Sequence, residues 1–202
     1  MMEKPFSEAC ERNREPLLAV LREALAGCHS VLEIGSGTGQ HAVHFAAHLP
    51  HLTWHTSELG ALHAGIRAWL AEAALPNLRP PLTLDVAGVW PQGPFDAVFT
   101  ANTLHIMGWP QVERFFAGAA RVVRRGGVLA VYGPFSYGGV HTAQSNARFD
   151  QWLQARDAAS GIRDFEKIRA LALAEGFVFE RDVPMPANNR TLLFRRLSES
   201  PA

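Results

Sequence analysis

The sequence has few cysteines and no surplus of charge of either sign. Cys10 and Cys28 are its only thiols, and they are too few and too far apart for a zinc cluster or a disulfide scaffold. Lysine plus arginine equals aspartate plus glutamate at 19 each, so the chain lacks the positive excess that favours phosphate backbones or anionic lipid. We therefore expect no metal, no nucleic-acid partner and no membrane partner.

Long hydrophobic runs are also missing. The start of the chain carries no apolar signal-peptide core, and no later stretch approaches the roughly 20 apolar residues of a membrane span. We therefore expect a cytoplasmic protein. The 202 residues, 48% of them hydrophobic, are enough to build one buried core. Because no repeat or low-complexity linker divides them, we expect a single domain over residues 1–202.

The first helix is predicted from a stripe of leucines. Leu17, Leu18, Leu21 and Leu25 share one helical face, and Pro16 is expected in the first turn, where a proline costs no hydrogen bond. We expect the helical segment within residues 1–27 to pack on or over a ligand site.

Short apolar strands and amphipathic helices alternate along the rest of the chain, which predicts an α/β fold. The predicted strands cover residues 30–34, 52–57, 82–84, 95–100, 128–132, 177–183 and 191–195. The last two are joined by a connection too short for a parallel crossover, so they must be antiparallel. The pattern predicts a Rossmann-like, doubly wound and mostly parallel seven-stranded sheet with a C-terminal antiparallel hairpin.

Three glycines, Gly35, Gly37 and Gly39, lie between the first strand and the next helix. The missing side chains let a ligand approach the backbone and the helix N-terminus. Gln40 stands where a dinucleotide fingerprint has its third glycine, which disfavours NAD. Glu33 adds a carboxylate suited to an ammonium group rather than to a pyrophosphate. A tight strand-to-helix turn without a ligand is the alternative.

Two acidic residues follow the next strands. Glu58 has the spacing from the glycines at which a carboxylate accepts hydrogen bonds from ribose hydroxyls. Asp85 follows the third strand, where a carboxylate can accept from the amino group of adenine, with the Val86 backbone close by. With the glycine loop they define an adenosyl site, although capping of turns or helices also explains such residues.

These features resemble the class I S-adenosylmethionine-dependent methyltransferases. The successive cofactor motifs of that class match Glu33 to Gly39, Glu58, Asp85 and Asn102. The resemblance implies S-adenosylmethionine as the cofactor and methyl transfer as the reaction.

More narrowly, the chain resembles the uncharacterised methyltransferase-like 26 family. The residues that carry this resemblance are Arg12-Asn13, Asn102 with His105-Ile106, Tyr132 to Phe135, Ser145-Asn146, Phe149-Asp150, Gly161 to Asp164 and Met185 to Asn189. One departure is Thr56-Ser57-Glu58, where that family more usually has Pro-Ser-Asp, but the longer carboxylate can still reach a ribose. The resemblance supplies no acceptor.

Candidates on the acceptor side begin beyond the fourth strand. Methyl transfer from a sulfonium is an in-line displacement that depends mainly on alignment, so a base is optional. His105 is the candidate base because it lies at the ligand edge and histidine titrates near neutral pH. A hydrogen-bonded structural histidine is the alternative. Asn102, at the strand end itself, is placed to contact cofactor or acceptor through its amide.

Four further residues are substrate candidates. Tyr132 begins a glycine-bearing loop that ends at His141 and is able to cover an acceptor. Asn146, Arg163 and Asn188 add polar groups in later connections. Capping and turn formation explain such residues equally well.

Histidines and aromatic residues at helical spacing are predicted to be structural. His41, His44 and His48 are interpreted as a solvated helix face rather than a zinc site, because no third ligand is evident. Phe149 and Trp152 are interpreted as helix-packing residues.

The favoured function is methyl transfer to a small molecule. A non-catalytic S-adenosylmethionine-binding subunit or scaffold is the alternative, because no residue is a compelling catalytic base. A nicotinamide-dependent oxidoreductase is disfavoured by the glycine spacing.

Overall fold

The computed structural model describes residues 4–198, so the ends of the expected domain, residues 1–3 and 199–202, lie outside the described part. The strands of that part are, in chain order, β1 (Ser30–Ile34), β2 (Thr53–Glu58), β3 (Leu78–Thr83), β4 (Phe95–Ala101), β5 (Val123–Gly133), β6 (Phe135–Tyr137), β7 (Val140–His141), β8 (Arg163–Asp164), β9 (Phe177–Met185) and β10 (Asn189–Arg196). The helices are α1 (Glu8–Ala24), α2 (Gln40–His48), α3 (His63–Ala73), α4 (Trp109–Val122), α5 (Gln144–Arg156) and α6 (Phe165–Ala174).

Seven strands form the central sheet in the order β3-β2-β1-β4-β5-β10-β9. The pairs from β3 to β5 are parallel, and β10 runs antiparallel to both of its neighbours. The predicted α/β fold with its C-terminal antiparallel hairpin is therefore confirmed. A small second sheet, β7-β6-β8, was not predicted, because strands of two or three residues leave no periodic pattern in a sequence.

Helices cover both faces of the central sheet. Successive residues of a strand point to opposite faces, so Val31 and Phe99 pack under α1 and α2. Their strand neighbours Leu32 and Val98 pack under α4 and α6 instead. This burial on both faces explains why the central strands are apolar without alternation.

Helix α1 is longer than predicted. It begins at Glu8, where the Ser7 hydroxyl accepts a hydrogen bond from the Cys10 amide at 3.4 Å. Pro16 therefore lies inside the helix rather than in its first turn. The N-terminal cap and the early glutamates favour this earlier start. The four leucines of the predicted stripe are buried, as expected.

Between residues 4 and 198, no helix is long and apolar enough to cross a membrane.

Candidate functional site

A large cavity in the described residues opens where β1, β4 and β5 end. Its volume is about 1270 Å³. Gly35 and Gly37 line it after β1, Asn102 lines it after β4, and Tyr132 lines it at the end of β5. Open α/β sheets bind ligands at this edge, in pockets of roughly 300–1,000 Å³. The cavity is therefore large enough for more than one small molecule.

The glycine loop presents bare backbone to the cavity. Gly35, Gly37 and Gly39 have φ angles of 72°, 56° and 91°, in the left-handed region that favours glycine. A Cβ atom at Gly35 would lie 2.5 Å from the Thr103 Cγ2 atom, whereas one at Gly37 would meet no atom within 4 Å. Gly37 also lines a second cavity, of about 400 Å³. The space over Gly37 is thus open to a ligand.

Glu33 supports this loop from inside the protein. Its carboxyl is buried and accepts hydrogen bonds from the Ser36 hydroxyl at 2.9 Å and the Trp54 indole N–H at 3.1 Å. Burial raises the pKa of Glu33 to about 7, against the lowering effect of these two hydrogen bonds. Glu33 is not among the residues that line the large cavity.

Glu58 and Asp85 lie at neighbouring strand ends, because the Leu84 amide donates to the Glu58 carbonyl oxygen at 3.1 Å. The Glu58 carboxylate accepts from the amides of Gly37 at 2.9 Å and Leu59 at 2.8 Å. Asp85 is exposed, and its Oδ1 atom accepts from the Ala87 amide at 2.8 Å.

Five of the predicted cofactor residues do not line the large cavity. The predicted cofactor residues that do not line it are Glu33, Gly39, Glu58, Asp85 and Val86. The Val86 side chain is buried in the core, and its carbonyl oxygen accepts from the Trp90 indole at 3.1 Å. Glu58 is joined to the lining through its hydrogen bond from Gly37, and Glu33 through its hydrogen bond from Ser36.

Asn102 and His105 both line the cavity, as their sequence positions suggested. Asn102 has a φ of 59°, which asparagine tolerates better than most residues, and its amide donates to the Tyr132 carbonyl oxygen at 2.9 Å. The His105 ring is only 6% exposed and contacts the Phe149 ring edge-on, with centroids 5.3 Å apart. Burial first, and Arg163 second, lower the pKa of His105 to about 4.

Arg163 holds the loop that carries His105. Its guanidinium donates to the carbonyl oxygens of Leu104 at 2.9 Å, Ala159 at 3.0 Å and Met107. Arg163 does not line the cavity, unlike the other substrate candidates Tyr132, Asn146 and Asn188. Its contacts are therefore those of a positioning residue.

Asn146 fixes the turn at the far side of the cavity. It is buried, and its amide group donates to the Thr142 hydroxyl and to the Asn188 carbonyl oxygen, both at 3.1 Å. Asn188 donates in return to the Ser145 hydroxyl at 3.3 Å. Asn188 has a φ of 58°, so the turn adopts a backbone conformation that needs such support.

Helix α1 supplies a wall of the cavity, and the sequence analysis expected the segment 1–27 to pack on or over a ligand site without identifying which of its residues line that site. Ser7, Cys10, Arg12 and Asn13 line the cavity from this helix and its cap. The only sequence signal for them was the Arg12-Asn13 pair within the narrower family resemblance. Amphipathic patterning marks the buried face of a helix but does not show which side borders a cavity.

The prediction of a solvated histidine face is wrong for His41. The residue is buried beneath α1, and its Nε2 atom lies 2.6 Å from the Asn13 Oδ1 atom. Burial, with a contribution from His44, lowers the pKa of His41 to about 4. His48 is exposed as predicted. In the described part of the chain, no three residues of types that bind metals are grouped as a metal site.

The prediction of a packing role is also wrong for Trp152. Its side chain is 50% exposed, and it lines the cavity with Phe149 and Arg156. A helical spacing alone does not distinguish a core face from a cavity face, because both are apolar.

Several solved structures with this fold are methyltransferases. An O-methyltransferase family protein from Burkholderia thailandensis superposes with a TM-score of 0.83 at 17% identity, over 96% of this chain and 59% of that chain. The mitomycin 7-O-methyltransferase MmcR gives a TM-score of 0.82 at 21% identity, over 93% and 54%. An O-methyltransferase family 2 protein from Planctomyces limnophilus, solved with apigenin, gives 0.83 at 16% identity, over 94% and 58%.

The chain spans less than two thirds of the length of each of these three proteins. The likeness defines the fold as that of the class I S-adenosylmethionine-dependent methyltransferases. Within that class of folds, the chain belongs to the protein family of unknown function DUF938, whose sequence profile matches residues 4–196.

Proposed function

We propose that this protein transfers the methyl group of S-adenosylmethionine to a small-molecule acceptor. The observation that carries the proposal is a large cavity in the described residues, which joins bare glycine backbone at one end to His105 and α5 at the other. A reaction between two bound molecules requires such a shared space. The methyl-transferring relatives with the same fold support the proposal, as does one relative solved with S-adenosylhomocysteine.

The cofactor belongs at the glycine end. The open space over Gly37 fits a ligand that approaches the backbone. Glu58 would accept hydrogen bonds from the ribose, while Asp85 and the Val86 backbone would contact adenine. S-adenosylmethionine supplies an electrophilic methyl group on a positively charged sulfur. The wider cofactor set comprises Glu33, Gly35, Gly37, Gly39, Glu58, Asp85, Val86 and Asn102.

Glu33 acts in this proposal through the loop. Its hydrogen bonds hold Ser36 and Trp54, so the glycines keep their conformation before a ligand arrives. Helix α1 lies within the segment 1–27, of which residues 1–3 are not described. It would cover the bound cofactor, since residues between its cap Ser7 and Asn13 border the cavity.

The acceptor belongs at the α5 end. His105, the candidate catalytic residue, is neutral near pH 7 because its pKa is about 4, so its ring can accept a hydrogen bond from the acceptor's hydroxyl group and orient it, while the same low pKa makes it a weak base. Tyr132, Asn146 and Asn188 would shape the acceptor site, and Arg163 would position the His105 loop. We also infer a cytoplasmic location and kinship with the methyltransferase-like 26 family.

Calorimetric titration with S-adenosylmethionine, S-adenosylhomocysteine and NADH tests the cofactor assignment. We expect micromolar binding of both adenosyl ligands, weakened by Asp85→Ala, and no binding of NADH. The substitution Glu166→Ala, at an exposed residue outside both cavities, is the control. Binding of NADH alone would refute the proposal. Adenosyl binding without acceptor-dependent S-adenosylhomocysteine across a broad metabolite screen would favour the non-catalytic subunit.

A further inference from the structure

One face of α5 forms an aromatic wall along the cavity. Phe149 and Trp152 are three residues apart and therefore neighbours on the helix surface. Their rings stack at a centroid distance of 5.8 Å and an interplanar angle of 18°. Both line the cavity, and half of the Trp152 side chain is exposed. A protein that leaves a tryptophan half exposed inside a cavity has apolar area available for a ligand.

The inner end of this wall is His105. Its ring meets the edge of Phe149, and the residue lines the cavity although only 6% of it is exposed. A neutral imidazole carries one nitrogen that donates and one that accepts, so His105 offers the polar group of a ligand a hydrogen-bond partner at this end of the wall. Asn102, three residues earlier, places the same loop beside the glycine end.

The outer end of the wall is Arg156. Its guanidinium carbon lies 4.6 Å from the centroid of the Trp152 ring, and no carboxylate pairs with it in residues 4–198. The other arginine that lines the cavity, Arg12, is paired with Glu8 at 3.2 Å. Arg156 is therefore the cation of the lining that is free to bind an anion.

One carboxylate also lines this end of the cavity. Asp157 accepts from the Ala159 amide at 2.9 Å and from the Ser160 hydroxyl at 3.3 Å. Both of its oxygens are thus used by the turn that follows α5. The negative charge of Asp157 reduces the positive potential of the site, but the N–H donors of Arg156 stay available to a ligand.

We propose that the acceptor is a planar aromatic acid whose hydroxyl group is methylated. Its ring lies along Phe149 and Trp152, its hydroxyl reaches His105, and its carboxylate or other anionic group binds Arg156. This inference rests on the proposed function and specifies its acceptor.

The transfer balances as a simple displacement. A lone pair of the acceptor oxygen forms the new bond to the methyl carbon, and the carbon–sulfur bond breaks with its electron pair left on sulfur. The products are the methyl ether and S-adenosylhomocysteine. The neutral imidazole of His105 orients the hydroxyl by accepting its hydrogen bond, and the hydroxyl proton is released to solvent as the oxygen–carbon bond forms.

Matched acceptors test the charge and the ring separately. Hydroxycinnamic acids, their primary amides, the corresponding amines and aliphatic hydroxy acids of similar length are each incubated with protein and S-adenosylmethionine, and S-adenosylhomocysteine is measured. We expect the aromatic acids to exceed their amides roughly tenfold in kcat/KM, as one charge-assisted contact predicts, with no turnover of the amines. A preference for amides, amines or aliphatic acids, or no turnover of any aromatic acid, would overturn the inference.

Variants show which residue binds the anionic group of the acceptor and which binds its ring. Arg156→Gln should raise KM for the aromatic acids about tenfold, leave kcat nearly unchanged and leave KM for the amides as it was. Trp152→Ala should raise KM for acids and amides alike. Arg169→Gln, an exposed residue of α6 outside the cavity, is the charge-matched control. Equal effects of Arg156→Gln on acids and amides would contradict the role of Arg156.

Calorimetry separates the two proposals. If S-adenosylmethionine does not bind, the proposed function fails and takes this inference with it. If it binds and only neutral, cationic or aliphatic acceptors are methylated, the proposed function stands and the aromatic acid alone is refuted. Titration of an aromatic acid into protein saturated with S-adenosylhomocysteine gives a readout independent of turnover, and weaker binding by Arg156→Gln is expected there too.

Discussion

The three glycines of the loop differ in what a side chain at each position would meet. At Gly35 a Cβ atom would strike Thr103, and at Gly39 it would lie 3.2 Å from the Ile66 Cα atom. At Gly37 nothing lies within 4 Å, so the protein itself leaves room for a side chain. Packing excludes a side chain at the first two glycines, whereas at Gly37 the positive φ and, in the proposed function, the approach of the ligand favour glycine.

Gly37→Ala should therefore separate binding from stability. We expect a loss of roughly 1–2 kcal/mol in unfolding free energy from the positive φ alone, with a much larger relative loss of S-adenosylmethionine affinity. Gly35→Ala should lose more stability, because its Cβ atom also overlaps Thr103. Urea unfolding and calorimetry measure the two effects. Unchanged affinity in a folded Gly37→Ala protein would contradict the proposed cofactor position.

The buried carboxyl of Glu33 predicts a pH effect. Its pKa rises from 4.5 unfolded to about 7 folded, so the folded state holds more protons between these values. Stability contributed by the neutral form is therefore lost as pH rises from about 5 to about 7, by up to about 3 kcal/mol.

Glu33→Gln should remove this dependence, since an amide keeps an acceptor for Ser36 and Trp54 and does not ionise. His41 and His105 act in the opposite direction, because their folded pKa values of about 4 favour folding as pH rises towards 6.5. The measurement is thus the difference in unfolding free energy between wild type and variant at pH 5 and pH 8. A difference that does not change with pH would show that Glu33 is not protonated in the fold.

At the scale of elements, α1 is attached to the glycine region by side chains rather than by sheet pairing. Ser7 donates its amide to the Gln40 carboxamide at 2.5 Å, and Asn13 contacts His41. Asn13→Ala should cost about 1–3 kcal/mol, because His41 would be left buried without that partner. Hydrogen exchange should increase across α1, whereas Arg22→Ala on its exposed side should change little. Unaltered exchange in Asn13→Ala would mean that leucine packing alone holds the helix.

The elements that the sequence predicted best are those with a strong local pattern. Strand β1 matched residue for residue, and the strands of the C-terminal hairpin were correctly predicted to be antiparallel. Strand β3 starts at Leu78, four residues before the predicted start, because Pro80 and Pro81 hide the strand pattern. The start of β3 depends on its pairing with β2, which local sequence patterns do not encode.

The α5 end of the site was harder to predict for a related reason. Trp152 and Arg156 meet the cavity only because α5 folds across the strand ends. Their roles depend on neighbours far away in sequence. By contrast, Asn102 and Tyr132 follow strands directly, and the rule that ligands bind at strand ends was enough to locate them.

At the scale of the whole molecule, the hydrophobic cores on the two faces of the central sheet are built on the same strands. Phe99 is fully buried in β4, with its ring 5.6 Å from Phe45 and 5.9 Å from Trp54. Phe99→Ala should lower the unfolding free energy by about 3–5 kcal/mol. The void left by Phe99→Ala should also weaken S-adenosylmethionine binding, although Phe99 does not contact the ligand. The reason is that Trp54, which packs against Phe99, also donates a hydrogen bond to Glu33. Denaturation and calorimetry on one preparation test both effects, and undiminished affinity in the destabilised protein would show that core and loop are independent.

The walls of the cavity come from distant parts of the chain. One is built by Ser7 to Asn13 and another by Pro186 to Asn189. During synthesis on a ribosome, the second wall emerges only after almost all of the described polypeptide has been made. A small molecule that needs both walls therefore has nothing complete to bind on a nascent chain. Its stabilising effect, measured as protection from proteases, should therefore begin only once residues 186–189 have joined the fold.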